Sequence, residues 1–212
     1  FSPEGVTGGM FAVLILGFRR AAFSNEAGIG SSAIAHATVK TEEPLTQGFV
    51  AMLEPFIDTV VICTITALVI ILTVYDPVLL NEGTIRGVEL TSSAFASVIP
   101  WFPNVLAVVV ILFAYSTMIS WSYYGLEGFV YFFGSKRPTK MLFNTLFCLF
   151  VVIGCTVKLD AVLDFSDSMI FAMALANMLA LYLLGPNVKR ELDVYWAKIK
   201  KTRLNDYKQT QG

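Results

Sequence analysis

Apolar residues run in long stretches along this chain, and few polar positions interrupt them. A helix needs about 20 mostly apolar residues to cross the hydrocarbon core of a bilayer. On that measure the pattern predicts about five spans. The first covers about residues 8–20 and continues, interrupted, to 38. The second covers about 48–75, the third 104–133, the fourth 141–157 and the fifth 168–184. The fourth is short, so Lys140 and Lys158 are expected to snorkel at its ends. Residues 76–103 are too long for a tight turn and too polar at their start to span. Their semi-apolar part, LTSSAFASVIPWF, predicts a short helix on the membrane face or folded into the protein.

Composition turns this pattern into a class. Of 212 residues, 56% are hydrophobic and 15% charged. Soluble domains carry roughly 25% charge, so an all-α integral membrane protein is predicted. Residues 90–126 and 168–188 hold no Asp, Glu, Lys or Arg. The net charge of −1 offers no electrostatic case for nucleic acid. Cys63, Cys148 and Cys155 lie in apolar runs without a CxxC pair or a histidine cluster, and read as small buried residues. The opening FSPEGVTGG has no signal-peptide pattern.

Lys and Arg set the orientation. Lys136, Arg137 and Lys140 lie between the third and fourth spans. Lys189, Arg190, Lys198, Lys200, Lys201, Arg203 and Lys208 follow the fifth. If each span crosses once, these two groups share a side. The other side holds Asp76, Glu82, Glu89, Asp160, Asp164 and Asp167 against Arg86 and Lys158. The prediction is a multi-pass cell-membrane domain over 1–188 and a basic cytoplasmic tail over 189–212. The first span then runs from outside to inside.

That first span is not a plain anchor. Arg19, Arg20 and Glu26 sit inside it, next to the segment SNEAGIGSS with its two glycines and several small hydroxyl residues. Glycine weakens a helix, and Ser and Asn side chains compete for its backbone. A helix break near residues 24–30 is one reading. Intramembrane breaks survive only where protein or a water-filled cavity satisfies the backbone, and transporters bind substrates and ions there. The other reading ends the span near Arg20 and makes SNEAGIGSS a cytoplasmic loop.

Two further groups carry candidate chemistry. Glu54 and Asp58 are four apart near one end of the second span and share a helix face. Intramembrane carboxylates suggest function, here gating or ion linkage, with Thr59 beside them. The competing role is capping, or pairing with Arg19 or Arg20. Ser116, Thr117, Ser120 and Ser122 cluster in the third span beside Trp121, Tyr123 and Tyr124. Hydroxyls suit a small alkali cation, although small polar residues also glue helices together. Ser116 shares a face with Ser120, and Thr117 shares one with Trp121.

The segments GFRRAAFSNEAGIGSSAIAHATVKT (17–41), QGFVAMLEPFIDTVVICTITALVI (47–70) and FAYSTMISWSYYGLEG (113–128) resemble the alanine or glycine:cation symporter family, also called sodium:alanine symporters. The likeness extends over essentially the whole chain. It implies the leucine-transporter fold of two inverted five-helix repeats, with broken first and sixth helices. The spans here resemble helices six to ten, the second repeat. The chain is then expected to be a C-terminal half, with Phe1 at an internal cut and the N-terminal half missing.

The resemblance also implies roles. Ser24, Asn25, Gly28, Ile29, Gly30, Thr117 and Trp121 would bind a small neutral amino acid, with Trp121 limiting its size. Ala114, Thr117 and Ser120 would bind sodium as the coupling ion. Glu54, Asp58 and Thr59 would serve gating or ion linkage. His36 is expected in packing or at solvent rather than in proton coupling. No cofactor is implied, and the activity is sodium-coupled symport by alternating access. A membrane-embedded enzyme using Glu54, Asp58 and His36 is an alternative without a supporting motif. A non-transporting membrane subunit is another.

Overall fold

The structure, a computed structural model, describes residues 3–74 and 87–210. The described elements are all helical. They are α1 (Pro3–Asn25), α2 (Ser32–His36), α3 (Pro44–Pro55), a π-helical stretch (Phe56–Ile62), α4 (Cys63–Thr73), α5 (Val88–Ala96), α6 (Phe102–Phe133), α7 (Arg137–Gly154) and α8 (Leu159–Thr210). The expected loop charges Asp76, Glu82 and Arg86 lie outside the described residues.

Among the described residues, four helices are long and apolar enough to cross a membrane: Pro44–Thr73, Phe102–Phe133, Arg137–Gly154 and Leu159–Lys201. Large apolar side chains such as Leu72, Phe113 and Leu183 stand exposed along them. A water-soluble chain rarely exposes so much contiguous apolar surface, whereas a bilayer solvates it. The protein is a multi-pass membrane protein. The expected first span forms as α1, a helix of 23 residues with Arg19 and Arg20 inside it.

The helices group into two compact units. Residues 3–54 and 159–210 form the first, in which α1 packs on α8. The expected fifth span, 168–184, is too short. The helix starts at Leu159 and runs for 52 residues. Asp160 and Asp164 read as loop, but they occupy its first two turns, where acids favour the helix dipole. Pro186 lies inside α8 and removes one backbone hydrogen bond without ending the helix.

Residues 55–158 form the second unit. Here α5 packs against α4 and α6, with Ala94 fully buried. Of the two placements expected for this short helix, it takes the one folded into the protein. α6 ends at Gly134, whose left-handed φ of +83° lets its N–H return to the carbonyl of Val130. α7 then folds back on α6 and approaches it closely at Gly125, where an added Cβ would lie 2.7 Å from the Phe143 ring. The three cysteines are free and exposed, not buried as expected.

Candidate functional site

α1 stops at Asn25, and α2 starts at Ser32. The six residues between are held by local bonds. Asn25 Oδ1 accepts the N–H of Ala27 at 3.0 Å, an Asx-type turn. Ile29 N–H donates to the carbonyl of Glu26 at 3.3 Å. Glu26, Gly28 and Gly30 have φ of +55°, +83° and +91°. Left-handed backbone is cheap for glycine and costs other residues about 1–2 kcal/mol. Glu26 bears that cost, and its carboxylate accepts a 2.7 Å hydrogen bond from the Ser31 hydroxyl. Ser31, 1% exposed, therefore makes no side-chain cap on α2.

α1 runs past Arg20 to Asn25, and the chain turns over residues 26–31 before α2 begins. Ser24, Asn25, Gly28, Ile29 and Gly30 come together in one compact turn, with Asn25 and Ile29 buried. Two residues of α8 complete it, and sequence reasoning assigned neither to the site. Asn177 Nδ2 donates to the carbonyl of Gly28 at 3.0 Å. Asp167, 3% exposed, lies 3.2 Å from both Arg19 and Arg20. The signal for Asn177 was a lone amide deep in an uncharged run. Asp167 offered no such signal, because it follows two acids that read as loop.

Arg19 and Arg20 thus pair with Asp167. Glu54 faces His36, with Oε2 3.4 Å from Nε2. The other ring nitrogen of His36 meets the Gln47 side-chain nitrogen at 2.8 Å. An amide nitrogen only donates, so Nδ1 accepts and the ring proton sits on Nε2, toward the carboxylate. Glu54 and Asp58 were expected on one face by α-helical spacing. The π-helical stretch begins at Phe56 and shifts that register. Pro55, which lacks an N–H and crowds the preceding turn, supplies the physical reason. Asp58 and Thr59 both ride on the widened turns.

In the second unit, Ala114, Thr117, Ser120 and Trp121 lie on α6. Three of the four clustered hydroxyls bond to carbonyls of their own helix. Ser116 donates to Phe113 at 2.8 Å, Ser120 to Ser116 at 3.1 Å and Ser122 to Ile119 at 2.8 Å. Trp121 packs edge-on against Tyr124, with centroids 5.9 Å apart. A cavity of about 350 Å³ opens between α6 and α7, lined by Tyr115, Met118, Ile119, Ser122, Asn144, Phe147 and Cys148. On α6 these residues turn a different face from Ala114, Thr117 and Trp121.

Comparison with known proteins adds an independent line. The model of the sodium:alanine symporter family matches residues 1–209. The chain is 36% identical to the sodium/alanine symporter AgcS of Methanococcus maripaludis, over 86% of this chain and 40% of that protein. It is 34% identical to the amino-acid carrier protein AlsT of Bacillus subtilis, over 94% and 42%. It is 32% identical to the "Probable sodium/glutamine symporter GlnT" of the same organism, over 91% and 39%. The chain spans less than half the length of these curated relatives. No solved structure matches it. The family is one of transporters and not of enzymes, which sets aside the catalytic reading of Glu54, Asp58 and His36. A set of apolar, membrane-length helices and a family match over nearly the whole chain agree: this protein belongs to the sodium:alanine symporter family.

Proposed function

We propose that this chain forms the second inverted repeat of a sodium-coupled symporter. Its substrate is a small neutral amino acid, alanine or glycine, carried across the cell membrane by alternating access. The observation that carries this reading is the break between α1 and α2, with three left-handed residues among five consecutive positions. Such a turn frees backbone carbonyls and N–H groups that α-helix would consume. Inside a membrane protein, freed backbone groups are the material of substrate and ion sites.

In this reading Ser24, Asn25, Gly28, Ile29 and Gly30 meet the substrate, and Thr117 and Trp121 close the pocket. Ala114, Thr117 and Ser120 contribute to the sodium site. Glu54, Asp58 and Thr59 respond to ion binding, through the His36 pair and the π-helical turns. Residues 1–188 form the membrane domain, and 189–212 form a basic tail on the cytoplasmic side, following the Lys and Arg bias. The further length of the relatives supplies the first repeat and the rest of the site. Sodium and substrate each bind more tightly when the other is present, and linkage makes the effect reciprocal.

The test is uptake by the full-length transporter in liposomes. Labelled alanine and glycine should accumulate under an inward sodium gradient. They should fail to accumulate when potassium replaces sodium on both sides. Equal uptake with and without the gradient would refute coupling.

A further inference from the structure

Asn177 sits on the face of α8 that also carries Asp167, Ile170 and Ala174, at three- and four-residue spacing. Asp167 and Ile170 on this face are buried, and Asp167 holds Arg19 and Arg20 just before the break. Asn177 reaches the break itself. Its amide donates to the Gly28 carbonyl at 3.0 Å. Across the same peptide unit, the N–H of Ile29 donates to the carbonyl of Glu26 at 3.3 Å. The peptide plane between Gly28 and Ile29 is thus pinned at both polar ends. Asn177 also bounds Gly30, where an added Cβ would lie 2.9 Å from its Cγ and Oδ1.

We propose that Asn177 is a positioning residue for the substrate and sodium sites, acting through the Gly28–Ile29 peptide unit of the broken helix. The proposal rests on the symporter reading for what the break binds. A peptide plane at a left-handed turn can flip, and flipping it exchanges a carbonyl for an N–H in the site. By holding the Gly28 carbonyl toward α8, Asn177 fixes which backbone groups of residues 26–30 remain available. An amide suits this task. It donates without adding a charge to the membrane interior, where a charge would be costly. A residue that merely glued α8 to α1 would affect the amount of folded protein and leave ligand affinity alone.

The experiment uses the full-length transporter with Asn177→Ala and with Asn177→Asp, which keeps the shape and loses the donor when ionised. Leu179→Ala, at an exposed apolar position of the same helix, is the control. Loss of one neutral hydrogen bond predicts that the KM for alanine and the half-saturating sodium concentration each rise by about fivefold. The maximal rate per folded transporter should stay within about twofold of wild type, and the control should match wild type. Hydrogen exchange of the peptide covering 24–37 is measured in parallel and should quicken by about fivefold in Asn177→Ala. Unchanged KM with unchanged exchange would overturn the proposal, as would a fall in rate alone. If the wild type shows no sodium-driven uptake, the symporter reading fails, and the exchange measurement still decides whether Asn177 pins the break.

Discussion

Replacing Gly30 by alanine tests two features of the break at once, and Gly28→Ala separates them. At Gly28 nothing lies within 4 Å of an added Cβ, so only the left-handed φ of +83° opposes the change. That costs about 1–2 kcal/mol. At Gly30 the φ of +91° imposes a similar cost, and the new methyl would lie 2.9 Å from Asn177 Cγ. The flexible partner moves, and its bond to Gly28 is lost, adding about 1 kcal/mol. The total for Gly30→Ala is then about 2–3 kcal/mol, set against the conformation that binds ligand. At 1.4 kcal/mol per decade, apparent alanine affinity should fall by about 30–150-fold. For Gly28→Ala the fall should be about 5–30-fold. Equilibrium binding of labelled alanine to the full-length transporter reads both. In an Asn177→Ala background the extra penalty at Gly30 should vanish, so the double variant is less impaired than the sum of the single ones. Gly30→Ala and Gly28→Ala agreeing within twofold would refute the close contact as an energetic constraint.

Further outcomes follow from other contacts. Asp167→Asn leaves two guanidiniums without their carboxylate; because Arg19 and Arg20 are 38% and 44% exposed, the loss should be about 1–2 kcal/mol, read as a lower melting temperature in detergent. Combining it with Arg19→Gln and Arg20→Gln should restore most of that loss, and no restoration would mean the pairs do not matter. Pro55→Ala returns an N–H to the helix, so the π-helical turns should close to α-helix, with slower hydrogen exchange at residues 56–62 and reduced sodium-driven uptake. Unchanged exchange there would show that Pro55 does not cause the widened turns. Trp121→Ala should let glutamine compete for alanine uptake, and a variant that still excludes glutamine would place the pocket wall elsewhere.

Much of this was legible in the sequence because it concerns backbone chemistry. Gly28 and Gly30, with Ser and Asn around them, announce a chain that cannot hold α-helix, and the break falls there. The long helices follow from apolar length, which the bilayer enforces. The departures share one cause: a charge reads as solvent-facing until its partner is known. Asp160, Asp164 and Asp167 therefore looked like loop, and the start of α8 was misplaced by nine residues, from Ser168 to Leu159. Arg19 and Arg20 could be seen to need a carboxylate, but their partner lies 147 residues from Arg20. Pro55 was visible, yet the wider turns that relieve it depend on the neighbouring backbone. The hydroxyls on α6 showed their spacing but not their rotamers, and three of them turn back to their own helix.

The length of α8 has a mechanical consequence. Fifty-two residues of α-helix extend about 78 Å, against about 30 Å of hydrocarbon. One part of the rod grips the break through Asn177. Far along it, Tyr195 and Trp196 pack tilted and edge-on around Phe49 of α3, and Lys198 pairs with Glu43. The two grips are separated by about 28 Å of helix. A 5° swing about Asn177 would carry Trp196 through about 2.5 Å, enough to drag the start of α3 with it. Gly185 and Pro186 lie midway between the grips, where the missing backbone bond favours an elbow. With the elbow stiff, α8 transmits a small shift at the break to the entrance of α3; with the elbow bent, the two ends move independently.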